Sequence, residues 1–193
     1  MPRKSAATDK PLKEHILDVA GRLFYKQGIH AVGIDRVIAD AGIAKTSLYR
    51  YFPSKEELIK AYLEQRNERF WRELELFLAD CAPEPEAQLR GIIDWIAQLL
   101  AKPICYGCPF LLTASEFPAL EHPARPVIEG HKRQLRDRFA SLAQTAQLKH
   151  PQELAAQLMI VVDGGFAQRR YLETKVFSKA FKTSAIVLLE QSL

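Results

Sequence analysis

The sequence has few cysteines and no long apolar run, and each absence excludes a class of protein. Three cysteines in 193 residues (Cys81, Cys105 and Cys108) are too few, and odd in number, for a disulfide scaffold, which indicates a reducing compartment. The longest apolar runs, residues 158–162 and 185–189, are far shorter than the roughly 20 residues that a bilayer-spanning helix needs. No apolar stretch follows the basic N-terminus as a secretory signal would require. We expect a cytoplasmic protein.

Strand patterns and catalytic constellations are missing as well. No segment alternates apolar and polar residues, and the five histidines are scattered without metal-ligand spacing or a neighbouring nucleophile. Cys105 and Cys108 form a single CxxC pair with no second pair and no βαβ context. We therefore expect no enzyme, no metal site and no cofactor.

What the sequence does contain is helical periodicity, which predicts an all-α protein of about nine helices. Apolar residues between positions 11 and 27 recur at i, i+4, i+7 and i+8, and Gly28 ends that pattern. Ser54 and Glu57 form a capping box at the start of a long helix. The predicted helices cover residues 11–27, 34–41, 45–51, 54–81, a segment ending before Pro103, 109–116, 124–147, 151–173 and 176–191.

Positive charge is concentrated at the N-terminal end. Residues 1–55 hold ten Lys and Arg against five Asp and Glu, whereas residues 56–193 hold 17 against 18. Such asymmetry is typical of a segment that binds a polyanion, and a solvated basic face would give the same count. We expect two domains, residues 1–54 and residues 55–193, that share the long helix 54–81.

Residues 34–52 have the pattern of two short helices joined by a tight turn at Gly42. Glycine permits the positive φ that such a turn needs, and a helix pair of this kind can place its second helix in the major groove of DNA. Leu48 and Phe52 would pack in the core. The remaining side chains of helix 45–51 are cationic groups and hydroxyls suited to phosphates and base edges: Lys45, Thr46, Ser47, Tyr49, Arg50 and Tyr51.

The run Leu48-Tyr-Arg-Tyr-Phe-Pro-Ser-Lys-Glu-Glu-Leu58 after this turn resembles the tetracycline-repressor (TetR) family. The resemblance covers about residues 11–60; beyond them only length and helical character agree. It implies a homodimeric, ligand-responsive regulator, expected to be a repressor, that binds a palindromic DNA operator. Gly33 stands where the family commonly has a hydroxyl residue that caps helix 2, and Ile38 where it commonly has alanine.

The resemblance also implies roles for single residues. Tyr49 and Lys55 would contact backbone phosphates. Base edges or adjoining phosphates would be faced by Lys45, Thr46, Ser47 and Tyr51. Arg3, Lys4 and Lys10 form a basic arm that either tracks the minor groove or only aids solubility. The alternative interpretation is a helical small-molecule-binding or scaffold protein that does not bind DNA.

The C-terminal part holds candidates for a small-molecule effector pocket, each of which is equally explained as a core residue. They are Trp71, Trp95, Tyr106, Cys108, Phe110, Phe117 and Phe166. Cys108 precedes Pro109 at a predicted helix start, where backbone N–H groups would lower the thiol pKa. It is therefore either a sensor thiol for oxidants or electrophiles or a small core residue.

Two helices near the C-terminus are predicted to form the dimer interface as an intersubunit four-helix bundle. Gly164 and Gly165 lie inside the first, where each costs roughly 1 kcal/mol relative to Ala. Either a close helix approach at a subunit contact or a local break in the helix would account for them. The interface candidates are Leu158, Val162, Gly165, Val187 and Leu188.

Overall fold

A computed structural model describes residues 12–169, Tyr171 and residues 174–193. Over these residues the secondary structure consists of nine helices and no strand, which confirms the all-α prediction. The helices are α1 (Leu12–Gln27), α2 (Ile34–Ala41), α3 (Lys45–Tyr51), α4 (Lys55–Leu78), α5 (Pro85–Ala101), α6 (Pro109–Glu116), α7 (Arg125–Thr145), α8 (Pro151–Gln168) and α9 (Thr174–Gln191).

Several helix ends differ from the predicted ones. α4 stops at Leu78 rather than at residue 81, because the backbone N–H groups of Asp80 and Cys81 bond three residues back and tighten the chain into a turn. α8 stops at Gln168 rather than at residue 173, and α9 begins at Thr174. No Gly or Pro marks the end of α8, so the periodicity extended that helix too far.

The chain divides into two compact units, residues 1–62 and residues 63–193, and the division falls within α4. In the first unit, α1, α2 and α3 bury one apolar face each around Ile16, Val37 and Leu48, all with 0% exposure. Gly21 allows a close approach, since a Cβ there would lie 3.0 Å from the ring of Tyr62.

The second unit has its own core, built from one face of each of α5, α7, α8 and α9. Apolar residues of α5 are buried along one face of the helix, and Leu99 beside them is half-buried. Buried residues of this core include Leu89, Ile92, Ile96, Leu100, Leu135, Phe139, Leu154, Leu158, Val162, Phe181, Ala185 and Leu189. Among the described helices, none is long and apolar enough to cross a membrane.

The two adjacent glycines of α8 have different explanations. A Cβ on Gly165 would lie 3.1 Å from Phe181 and 3.2 Å from Leu100, so this glycine permits close packing inside the unit. Gly164 is exposed, with nothing within 4 Å of a built Cβ. The helix continues to Gln168, which excludes a break at either position.

Candidate DNA-binding surface and effector site

The turn between α2 and α3 has the geometry that the sequence predicted. Gly42 adopts φ 65°, and the N–H groups of Gly42 and Ile43 donate to the carbonyls of Ala39 and Ile38 at 3.2 and 3.3 Å. This is the Schellman arrangement that ends a helix at glycine. At the other end of α2, Gly33 provides no side-chain cap, as expected for a residue without a hydroxyl.

A histidine from α1 holds the C-terminal end of α2. The Nε2 atom of His15 donates to the carbonyl of Ala41 at 3.0 Å, across 26 positions of sequence. The last carbonyls of a helix have no partner within it, so this bond satisfies one of them and ties α1 to the turn. Sequence reasoning missed His15, because nothing in the periodicity shows which carbonyl an N-terminal histidine reaches.

α3 presents most of its predicted DNA-contacting side chains to solvent. Leu48 is fully buried and anchors the helix, and Phe52 just after it is 2% exposed. Exposed side chains are Lys45, Thr46, Tyr49 and Arg50, whereas Ser47 and Tyr51 are half-buried. The helix therefore carries one apolar anchor and a polar outer face of cations and hydroxyls.

The cations on this face have weak partners. Lys45 lies 3.4 Å from the Asp35 carboxylate, and both side chains are exposed, so the pair contributes little stability. Arg50 donates to the Tyr51 hydroxyl at 3.1 Å, and its guanidinium lies 4.9 Å from the centre of the Tyr51 ring.

Lys55 is half-buried at the N-terminus of α4. Its ammonium donates to the carbonyl of Ile29 at 2.7 Å, in the loop between α1 and α2. Ser54 caps the helix, since its hydroxyl accepts from the N–H of Glu57 at 3.1 Å, which confirms that half of the predicted capping box. The basic arm of Arg3, Lys4 and Lys10 lies outside the described residues.

In the second unit, three of the pocket candidates lie in one group of rings that we call the aromatic cluster: Phe70, Trp71, Trp95, Phe110 and His131. The ring centre of Phe70 is 4.8 Å from that of Trp95 and 4.8 Å from that of His131. Phe110 stacks on His131 at 3.8 Å with an interplanar angle of 13°. Phe70 and His131, which join the three predicted residues, were not predicted.

One amide holds the polar side of this cluster. The Oδ1 atom of Asn67 accepts from the indole N–H of Trp71 at 3.1 Å and lies 2.8 Å from Nδ1 of His131. Burial, and secondarily the charge of Lys132, lowers the pKa of His131 to about 3. The imidazole is therefore neutral at physiological pH.

Cys108 is buried beside a pair of charged side chains, Lys132 on α7 and Asp163 on α8, which form an ion pair. Burial raises the pKa of the Cys108 thiol above its ordinary value. Lys132 and the N–H groups of Leu111 and Phe110 act in the opposite direction and do not outweigh burial. The predicted lowering by the helix start is present but is outweighed by burial, so the site favours the protonated, unreactive thiol.

The other pocket candidates also lie in this unit. Phe117 packs on His122, with ring centres 4.5 Å apart. Phe166 packs against the core of the unit, and Tyr106 is half-buried in the segment before α6.

Three of the interface candidates are core residues of this unit. Leu158 and Val162 have 1% and 2% exposure, and Gly165 faces Phe181 and Leu100. With no surface left for a partner, they are excluded as interface residues. Val187 is 43% exposed and Leu188 is half-buried, so these two candidates, both on α9, retain surface.

Fold and surface together define a class of protein, an all-helical chain with an N-terminal helix-turn-helix module. Residues 16–62 match the family model of the bacterial regulatory proteins of the tetR family. The N-terminal unit therefore has the helix-turn-helix module of the TetR family, which confirms the resemblance found in the sequence. The match covers α2 and α3 completely.

Individual relatives agree with this assignment. The chain is 30% identical over 118 residues to an HTH-type transcriptional regulator from the lacX 3' region of Lactococcus lactis subsp. lactis, covering 61% of this chain and 60% of that protein. It is 29% identical to the HTH-type regulator LmrA of Bacillus subtilis, covering 58% and 61%. The chain thus spans about three-fifths of the length of these two relatives.

Solved structures resemble the whole chain. SCO4454, a TetR-family transcriptional regulator from Streptomyces coelicolor, superposes with a TM-score of 0.88 at 27% identity, covering 94% of this chain and 95% of that one. A TetR-type regulator from Streptomyces avermitilis has a TM-score of 0.82 at 25% identity, covering 95% and 98%.

Proposed function

We propose that this chain is a transcriptional regulator that binds a palindromic DNA operator as a homodimer and is released from it by a small-molecule effector. The observation that carries the proposal is the outer face of α3, where Lys45, Thr46, Tyr49 and Arg50 are exposed around the buried anchor Leu48. A major groove about 12 Å wide admits one such helix.

The side chains of α3 and α4 divide into two proposed roles. Lys45, Thr46, Ser47 and Tyr51 face base edges or adjoining phosphates, since cations and hydroxyls can hydrogen-bond to both. Tyr49, Arg50 and Lys55 contact backbone phosphates. For Lys55, one of its three N–H donors faces Ile29, and the helix N-terminus next to it also favours an anion.

The exposed faces of α8 and α9 support a homodimer. α8 exposes Ala156, Ile160, Gly164 and Ala167, and α9 exposes Val176, Ala180 and Val187. Both sets recur at helical spacing, and their small members would let two helices approach closely. Ile160 and Val176 are 72% and 69% exposed, which would be costly to leave in water. We propose these faces, together with Val187 and Leu188, as the two-fold interface.

A two-fold axis sets the form of the operator. Two copies of α3 must meet successive major grooves about 34–36 Å apart, so the operator would be an inverted repeat. An operator that is an inverted repeat would therefore support both the proposed dimer interface and the proposed DNA-binding surface.

The aromatic cluster is the proposed effector site, and α4 is the proposed connection to DNA. α4 contains both Lys55 and Trp71 and runs without Gly or Pro. An effector that binds one conformer better than another would shift the protein away from the DNA-bound form, with a coupling of about 1–3 kcal/mol. A hydrophobic effector against Trp71 and Trp95 should quench tryptophan fluorescence.

An electrophoretic mobility-shift assay on the DNA that flanks the gene tests the DNA-binding part directly. We expect a specific shift that is lost in the double variant Lys45→Ala/Arg50→Ala. Lys26→Ala removes an equally exposed cation from the end of α1 and should bind normally. If the chain binds no DNA sequence in preference to others, it is instead a small-molecule-binding or scaffold protein.

The effector part is tested by Trp71→Ala. This variant should bind operator as tightly as the original chain but should respond less to effector, because Trp71 belongs to the cluster and not to the DNA surface. If effector release is instead abolished by Cys108→Ser and unaffected by Trp71→Ala, the protein is a thiol sensor.

A further inference from the structure

The position of one proton in the aromatic cluster follows from its hydrogen bonds. The indole N–H of Trp71 can only donate, so the Asn67 atom 3.1 Å away must be the amide oxygen. Nδ1 of His131 lies 2.8 Å from the same oxygen. Since an amide oxygen can only accept, Nδ1 must carry a proton and donate it.

The other ring nitrogen of His131 is consequently an acceptor. The imidazole is neutral because burial lowers its pKa to about 3. A neutral imidazole holds one ring proton, which Nδ1 already carries, so Nε2 presents an unprotonated lone pair.

Within the described part of the chain, no group donates to this lone pair. His131 is 97% buried, being 3% exposed, and its only hydrogen bond there is the one to Asn67. Phe110 stacks on one ring face and Phe70 packs edge-to-face at 84°. The surroundings of His131 thus combine apolar rings with one acceptor that no described group satisfies.

We propose that Nε2 of His131 is the polar anchor of the effector site, and that the effector is an uncharged aromatic molecule with a hydroxyl or N–H donor. The proposal rests on the effector site proposed above. The rings of Trp71, Trp95 and Phe110 select an aromatic body, and Nε2 selects a donor. The positive charge of Lys132, next in sequence, disfavours a cationic effector.

A pair of probes that differ only in the donor tests this class. Binding of 4-ethylphenol and of its methyl ether to the full chain is measured by isothermal titration calorimetry. We expect the phenol to bind up to about tenfold more tightly, the value of one net hydrogen bond among apolar rings. Equal affinity of the two probes, or no binding of either, overturns the proposal.

Two substitutions distinguish the roles of the two ring nitrogens of His131. His131→Asn places an amide NH2 near the position of Nδ1 and removes the acceptor, so it should abolish the preference for the phenol. His131→Gln places an amide oxygen near the position of Nε2 and should retain part of it. Thermal unfolding checks that both variants fold, and a preference unchanged in His131→Asn contradicts the proposal.

Nitrogen-15 NMR of histidine-labelled protein gives a readout that does not depend on a variant. Nε2 of His131 should resonate as an unprotonated ring nitrogen and shift upfield when 4-ethylphenol, but not the ether, is added. A proton on Nε2 in the free protein excludes the proposed anchor.

These measurements are made without DNA, so they are independent of the proposed regulator function. If the chain prefers the phenol but does not bind operator DNA, the regulator proposal fails and the His131 anchor stands. If it binds operator DNA but does not prefer the phenol, the His131 anchor fails and the regulator proposal stands.

Discussion

The two units of this chain differ in where their functional residues lie. In residues 12–62 the candidate side chains point outward from a short helix whose single anchor, Leu48, is buried. In residues 63–193 they point inward, and the aromatic cluster joins α4, α5, α6 and α7. A local motif can therefore specify the first site, whereas the second exists only when distant helices pack together.

The largest expected effect concerns two neighbouring positions of α8. Leu158→Asp places a charge in the core of the second unit and should lower the free energy of unfolding by about 4 kcal/mol or more. Ile160→Asp, at an exposed position of the same helix, should leave stability nearly unchanged and yield monomers. Urea unfolding and light scattering measure the two outcomes. A stable, dimeric Ile160→Asp variant would remove α8 from the interface.

The buried histidine makes the second unit sensitive to acid. The pKa of His131 is about 3 in the folded chain, well below the ordinary value of 6.5, so the unfolded chain binds the proton first as the pH falls. Stability attributable to this group should be constant above about pH 7.5 and should decrease by about 3 kcal/mol between pH 7 and pH 4.

Comparison with His131→Gln isolates this contribution, because both chains share the titration of their carboxylates. Chemical unfolding at several pH values gives the difference. Parallel stability profiles of the two chains would show that His131 titrates normally.

His15 tests whether the first unit also depends on a tertiary contact. His15→Leu leaves the Ala41 carbonyl without its donor and should cost about 1 kcal/mol in stability and several-fold in operator affinity. His15→Gln offers an amide N–H in a similar position and should restore part of both. Thermal unfolding and mobility shift are the measurements, and equal operator affinity in both variants would mean that the contact does not position α3.

The turn glycine should have a smaller and purely local effect. Gly42→Ala should destabilise by about 1 kcal/mol, because φ is 65° there while a Cβ would meet nothing within 4 Å. Gly33→Ala is the control, since Gly33 has φ −76° and equally open surroundings, and as an N-cap change it should cost only a few tenths of a kcal/mol. Similar thermal unfolding of the two variants would contradict the backbone explanation.

The finest distinction concerns the role of Lys55. If its ammonium contacts a phosphate, Lys55→Ala should reduce the slope of log K against log salt by about 0.9 and weaken binding to all sequences. If it acts only by holding the Ile29 carbonyl, affinity falls while the slope stays the same. Operator titrations at several salt concentrations decide between the two.

Sequence reasoning succeeded where structure is local. The positive φ at Gly42, the Ser54 cap and the bounds of α6 depend on neighbours within a few residues, and all three agree with prediction. It failed where burial depends on the partner helix. Leu158 and Val162 were assigned to a surface because an apolar run does not show which of its sides meets α5 and α9.

The sequence by itself determined the helices, the turn and the polar face of α3, because periodicity, glycine and proline act over one or two turns of chain. Only the tertiary structure decided that Cys108 is buried beside an ion pair and that His131 meets Asn67 across 64 positions. Those contacts depend on how helices far apart in sequence pack. The protonation of Cys108 and His131 depends on the burial that this packing creates.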